Sequence, residues 1–506
     1  MASRLSRPGV LVAVFALLAS ACGSSATPAP SAGQPSAAAP SSAESAPAES
    51  AEASGGAAPS EVVPTPLPAD TSQVNPGDVV IRWFCCLGTG DAPEQVAVEQ
   101  QVADAFNQAN PGIHLSFEGY PYQGAVDALS TQIGGGNAPD IVGPVGIGGS
   151  EAFHGQWLDL TSLIQKNNYD TSRFPQLSVD FFKAGGEGQL GIPFAIYPSA
   201  LFYKTGLFKE AGLNEPPHQW NAEYTMPDGT KKPWNYDTVR EIAKILTVDK
   251  NGKDATEAGF DPDNIVQWGW EPQRDDLRQL GAYWTPGSFD SGDHKTVQIP
   301  DGWANAWKYF YSGIWSDHVS MTGPTFLNTD INPNNYPFFT GKVAMSENYL
   351  WSTYGVSDAG DDWNLAATPA YNGKTTAAFN ADTFRIMKSS KHPDEAFKVL
   401  TYLLGEGAPT LLKAYTAMPA VPGEQDQFFQ TLQSDYTQPI DWSVIREGAK
   451  YADVPNYENW VPAYNQTFAL MNTFSTKWQA TPGLNMDQEI ADFKSQLQAI
   501  WDKGGS

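Results

Sequence analysis

Cysteine is almost missing from this chain: three occur in 506 residues, Cys22 and the adjacent pair Cys85 and Cys86. No scattered disulfide framework can therefore hold the molecule, and its fold must rest on a buried core. Positive charge is also scarce. Thirty Lys and Arg stand against 56 Asp and Glu, a formal charge of −26; such a chain binds nucleic acid poorly and is repelled by anionic headgroups. No apolar run approaches the roughly 20 residues that a membrane-spanning helix needs. The six histidines include no pair at i, i+4, which leaves no zinc-helix motif. Gly88-x-Gly90 lacks a third spaced glycine, and neither a Walker pattern nor a Gly-x-Ser-x-Gly elbow occurs. Asp249–Asp254 lacks the glycine and the glutamate of a calcium loop and reads as an Asn-Gly turn. No cofactor, metal or catalytic residue is expected.

What is present begins at the amino end. Arg4 and Arg7 precede a short apolar run, Val10–Leu18, and then Ala19-Ser20-Ala21-Cys22. This is the anatomy of a secretory signal over residues 1–21. Cysteine directly after the small residues resembles a bacterial lipobox, with Leu18 one place earlier than usual. It makes Cys22 the expected lipidation site, since two acyl chains suffice for stable anchoring. From Gly23 to about Asn75 the sequence is Ala, Ser, Pro, Gly and Thr with scattered acids, and it has no Lys, Arg or aromatic residue. Residues 22–75 are therefore expected to be a disordered tether, spanning about 40 Å as a flexible coil.

The remainder, about 430 residues, is too long for one core and predicts two lobes. Val79–Phe84 reads as a buried strand, a helical face follows from Pro93, and Ile113, Leu115 and Phe117 alternate as a second strand. A helix with Val126, Leu129 and Ile133 stops at Gly134-Gly135-Gly136, and a third strand begins at Pro139–Val142. Strand and helix in alternation imply a parallel α/β sheet, whose ligands bind beyond the carboxyl ends of its strands. That singles out the loops Leu87–Asp91, Gly119–Gln123 and Gly143–Gly149. Further on, Trp157–Gln165 reads as helical, Gly191–Tyr197 as extended, and Tyr236–Leu246 and the stretch after Pro393 as amphipathic helices. Cys85-Cys86 is compatible with a vicinal disulfide or with two small buried thiols.

Several fragments, in order, resemble family-1 extracellular solute-binding proteins, the receptors of bacterial ABC importers related to maltose-binding protein. They are Asn137-Ala138-Pro139-Asp140-Ile141; Gly191-Ile192-Pro193 with Leu201–Lys204 and Leu207–Leu213; Phe339–Met345 leading to Trp351; and Ser389–Phe397. The resemblance covers nearly the whole folded body. It implies a two-lobed periplasmic-binding-protein-like fold (type II), with open sheets, crossings between lobes and hinge closure on a solute. Lobe I is expected at 76–195 and 383–422, lobe II at 196–382 and 423–506. The Trp220–Trp234 insertion and the long Trp268–Gly323 block depart from the family.

A sugar site needs flat aromatic platforms beside carboxylates and amides, and sixteen tryptophans supply platforms generously. The resemblance places the ligand-facing Trp at Trp351, with Asn348 as a polar partner. Asn380 and Asp382 fall where the chain crosses back, serving as ligand contacts or as a capped hinge turn. Tyr197 lies at the first crossing. Asp91 and Tyr122 are candidates by loop position, Asp140 as ligand contact or turn cap. Trp270 and Trp284 are second-lobe platforms unless they serve packing. The expected protein is a monomer, held to the membrane by lipid alone, delivering a mono- or oligosaccharide to an ABC permease. The alternative is a lipid-anchored glycoside hydrolase acting through a carboxylate pair.

Overall fold

The computed structural model describes Leu67 and residues 74–504, except 185, 275, 333–335, 354–361 and 459. The signal, Cys22 and almost all of the expected tether lie outside the described residues.

Two sheets organise the chain. In the larger, the order is Met418–Pro419, Ile192–Pro198, Phe379–Ile386, Ile141–Val145, Val79–Cys85 and Ile113–Gly119. Val79–Cys85 pairs in parallel with both of its neighbours, with Trp83 opposite Phe117 and Ile141. Each is a β-rich run whose inward residues are buried, as alternation and covering helices require. The helix Pro93–Ala109 starts on a proline, which presets its first turn, and it buries Val102, Ala103 and Phe106. Phe379–Ile386 is antiparallel to Ile141–Val145 and to Ile192–Pro198, so a late segment closes the sheet that the first residues open.

The smaller sheet has the order Met345–Asn348, Ala200–Tyr203, Asn364–Ala366, all antiparallel. Ser199 alone separates Ile192–Pro198 of the first sheet from Ala200–Tyr203 of the second. Around the second sheet pack Tyr236–Leu246, capped by Asn235 Oδ1 accepting from the Thr238 amide, and the aromatic helix Asp301–Trp315.

The vicinal cysteines form a disulfide, Cys85–Cys86. Gly90 has φ +109 and its missing Cβ is the space that Cys85 Sγ and the Glu99 carboxylate occupy. Asp249 takes the backbone amides of Asn251 and Lys253 at 2.8 and 3.0 Å, the turn that its Asn-Gly sequence suggests. One helix is shorter than its periodicity predicts: only Thr161–Lys166 is helical. Leu158 is drawn away by an amide bond to Ile386 O, and Trp157 is pinned by its indole to Ser150 O.

Candidate functional site

The two crossing strands set the floor of the site. Asn380 lies opposite Tyr197 in the register, and Asp382, two residues on, shares its side of the strand, as the pleat dictates. Tyr197 Oη donates to Asp382 Oδ2 at 3.3 Å. From the smaller sheet, Met345–Asn348 ends in a tight helical turn that presents Trp351. The Trp351 ring meets Tyr197 edge-on at 4.9 Å and stacks flat on Tyr349 at 4.1 Å. Three predicted residues, Tyr197, Trp351 and Asp382, thus form one cluster, and Asn380 joins it through its strand.

Sequence reasoning missed two members. Tyr457 donates from Oη to Asn380 Oδ1 at 2.7 Å. The segment carrying it is bracketed to the crossing strand by Asp453, which accepts the amides of Phe379 and Tyr457 at 2.8 and 2.7 Å. Tyr349 is the second; Glu347, two residues before it, is fully buried and faces Tyr236. Its Oε1 accepts from Tyr236 Oη at 2.6 Å, while Oε2 is buried with no hydrogen-bond partner among the described residues. An acid two residues after the apolar Val343–Met345 run was the available signal: a buried charge demands a reason.

The other predicted residues go elsewhere. Asn348 turns its Oδ1 onto the amide of Tyr349 at 2.8 Å. Asp91 and Tyr122 meet one another on the surface, where Asp91 Oδ2 accepts the Tyr122 amide at 3.0 Å and starts a helix. Asp140 stands before the start of its strand, the end away from the crevice. It accepts from the Arg82 amide at 3.0 Å and the Ser390 hydroxyl at 2.5 Å, so it anchors a turn. Trp270 packs edge-on to Tyr309 and Phe310, and Trp284 stacks on Tyr236 at 4.5 Å. Both are buried, and their size is used for packing.

A cavity of about 420 Å³ is lined by other residues, Ser150, Glu151 and His154 together with Asp290 and His294, and by none of this cluster. Trp460 closes it, with its ring 5.2 Å from His154 and 5.1 Å from His294.

The electrostatics are acidic. Burial pushes Asp382 up to about 7 and Glu347 up to about 8, against the tyrosine hydroxyls that favour their ionised forms. Burial also raises Glu151 to about 7, with Arg385 and Arg278 pulling the other way. Glu271 is paired with Arg274 at 2.5 Å and Asp276 with Arg278 at 2.6 Å, whereas buried Glu99 accepts from Tyr415 Oη and keeps its other oxygen unpaired. Cys85, Cys86 and Glu99 lie close enough to hold an ion, but sulfurs joined in a disulfide are not thiolate ligands. The arrangement offers ring faces, carboxyls and an amide to a small polar solute.

The profile of the family described as bacterial extracellular solute-binding protein matches residues 90–408. A Brucella abortus (strain 2308) chain whose name gives it only as a binding protein is 28% identical over 316 residues, 60% of this chain and 67% of its own. Among solved structures, a Listeria monocytogenes ABC substrate-binding protein in complex with cycloalternan superposes with TM-score 0.64 at 20% identity, covering 83% of this chain and 98% of that one. The sugar-binding protein MalE of Xanthomonas citri gives TM-score 0.62 at 16% identity, over 84% and 98%. A solute-binding protein of Thermotoga lettingae bound with α-D-tagatose gives 0.61 at 17%, over 84% and 99%.

Proposed function

The chain belongs to the bacterial extracellular solute-binding protein family, and from that premise we propose that it captures a carbohydrate between its two lobes and hands it to an ABC permease. The observation that carries this reading is the Tyr197–Trp351–Tyr349 aromatic group with Asp382 and Asn380 at its edge. A pyranose ring lays its apolar C–H face on an aromatic ring and directs its hydroxyls outward to carboxyls and amides. The structural neighbours in complex with cycloalternan and bound with α-D-tagatose support a sugar as the solute.

Capture is hinge closure. With lobe I at 76–195 and 383–422 and lobe II at 196–382 and 423–506, Trp351 comes from one lobe while Tyr197 and Asp382 stand at the crossings. A solute that touches both favours the closed form by its differential contacts. Affinity then comes from burial and closure, with no bond broken. Lipid on Cys22 and the linker behind it would keep the receptor near its permease while letting it range.

The test is a thermal-shift screen of the full chain against sugars, polyols, amino acids and oligopeptides. A ligand at a hundred times its Kd adds about 2.7 kcal/mol to stability, so a clear rise with a carbohydrate is expected. Stabilisation by peptides or amino acids and by no carbohydrate contradicts the substrate class. Hydrolysis of a glycoside would favour a carboxylate-pair enzyme instead.

A further inference from the structure

Six charged side chains line the cavity of about 420 Å³, and four of them are spent. His154 pairs with Glu187 at 2.9 Å, His294 with Asp290 at 2.5 Å, and Lys183 with Asp180 at 2.5 Å. Glu151 and Arg385 are left, only 8% and 4% exposed. The Glu151 carboxylate has no hydrogen-bond or ion-pair partner among the described residues, and its Oε2 is wholly enclosed. Arg385 donates to Leu190 O at 3.3 Å, while its Nε is buried without a partner. The two form no ion pair with each other.

Buried charges without close partners are costly. Burial here prevails over the mutual attraction of the pair, pushing Glu151 up to about 7 and Arg385 down to about 10. Neither satisfies the other. A hydroxyl would supply a hydrogen bond to either group and a charge to neither. A molecule that carries an ammonium and a carboxylate supplies both charges, each through a charge-assisted hydrogen bond. The walls suit its apolar part. The rings of Trp157 and Phe182 stand 5.6 and 5.7 Å from the guanidinium, and Trp460 closes the space. The volume falls in the range of roughly 300–1,000 Å³ usual for small-molecule sites.

We propose that this cavity is a second binding site, for a small zwitterion of the amino-acid class, with Glu151 holding the ammonium and Arg385 the carboxylate. The site shares no residue with the Tyr197–Trp351 cluster. It does not rest on the carbohydrate reading, and either can fail alone.

The test is calorimetric titration of the full chain at neutral pH with L-glutamine, L-leucine, L-phenylalanine and γ-aminobutyrate. Each is matched by its carboxamide, which lacks the anion, and by its N-acetyl form, which lacks the cation. The expected result is saturable binding of at least one zwitterion, with both of its analogues at least tenfold weaker. Glu151→Gln, which removes a charge and breaks no hydrogen bond, is expected to weaken that zwitterion at least tenfold. If the variant fails to fold, Trp460→Ala takes its place, with at least a threefold loss expected. No saturable zwitterion, or an analogue that binds as tightly as its parent, overturns the inference and leaves the carbohydrate reading standing. Zwitterion binding that the folded variant keeps in full overturns the assignment to this cavity. A sugar whose affinity falls tenfold in Glu151→Gln, while no zwitterion binds, shows hydroxyls bridging the two charges and overturns it as well.

Discussion

Ser199 and Ala378 are joined twice. The Ser199 amide donates to Ala378 O at 2.8 Å, and the Ala378 amide donates to Ser199 Oγ at 3.0 Å. Ser199 is the single residue between strands of the two sheets, and Ala378 immediately precedes the strand that returns to the first. This pair is where the two halves of the fold share a backbone, and both residues are fully buried. Ser199→Ala removes the acceptor and leaves the Ala378 amide buried and unpaired, which costs about 1–3 kcal/mol. Urea unfolding is expected to show a lower midpoint at an unchanged slope. An unchanged midpoint would mean that the crossing tolerates the loss.

Trp351→Ala separates ligand binding from folding. Trp351 is half-buried and its ring contacts are with Tyr197 and Tyr349, so the unliganded protein loses about 0.5–1.5 kcal/mol from the ring pairs. It is expected to stay folded and to lose the carbohydrate-induced thermal shift. A full shift in the variant would take Trp351 out of the binding surface.

How far the sequence reaches is visible here. The helix Tyr236–Leu246 was readable because Val239, Ile242, Ala243 and Leu246 repeat at helical spacing, and all four are buried. The strands Val79–Cys85 and Ile113–Gly119 were readable from apolar composition and bounding turns. The site was readable only in part. Tyr197 and Asp382 lie at crossings that the family pattern marks, whereas Tyr457 arrives from an irregular segment with no periodicity to announce it. Trp270 and Trp284 left platform and packing both open in the sequence, because a large ring fills a core as readily as it binds a sugar. Asp140 sits in a family fragment, yet its carboxylate is spent on Arg82 and Ser390.

Stability should fall as pH rises from acid towards neutrality. Glu347 ionises near its ordinary value of 4.5 in the unfolded chain and at about 8 in the fold. Below pH 4.5 both states hold the proton and the group is neutral to stability. Between 4.5 and 8 the unfolded chain releases it first, so folding loses up to about 1.4 kcal/mol per pH unit from this group. Asp382 acts in the same direction between its ordinary 3.8 and about 7. Glu347→Gln is expected to flatten the decline in unfolding free energy from pH 5 to 8. An identical slope in the variant would remove Glu347 from that account.

Gly90→Ala tests the packing over the vicinal disulfide. At φ +109 an L side chain is strained, and the new Cβ would sit 2.6 Å from Cys85 Sγ. A cost of about 1–3 kcal/mol is expected, measured as a lowered Tm. A Tm at or above that of the parent would show that the loop shifts freely away from the sulfur.

The most direct measurement of the central claim is a calorimetric titration of the full chain with the sugar that stabilises it best, followed by mass-spectrometric recovery of that sugar. The account predicts saturable binding of one sugar per chain, with the sugar recovered intact, and loss of that binding in Trp351→Ala. A cleaved glycoside, or saturable binding that Trp351→Ala leaves untouched, would contradict it.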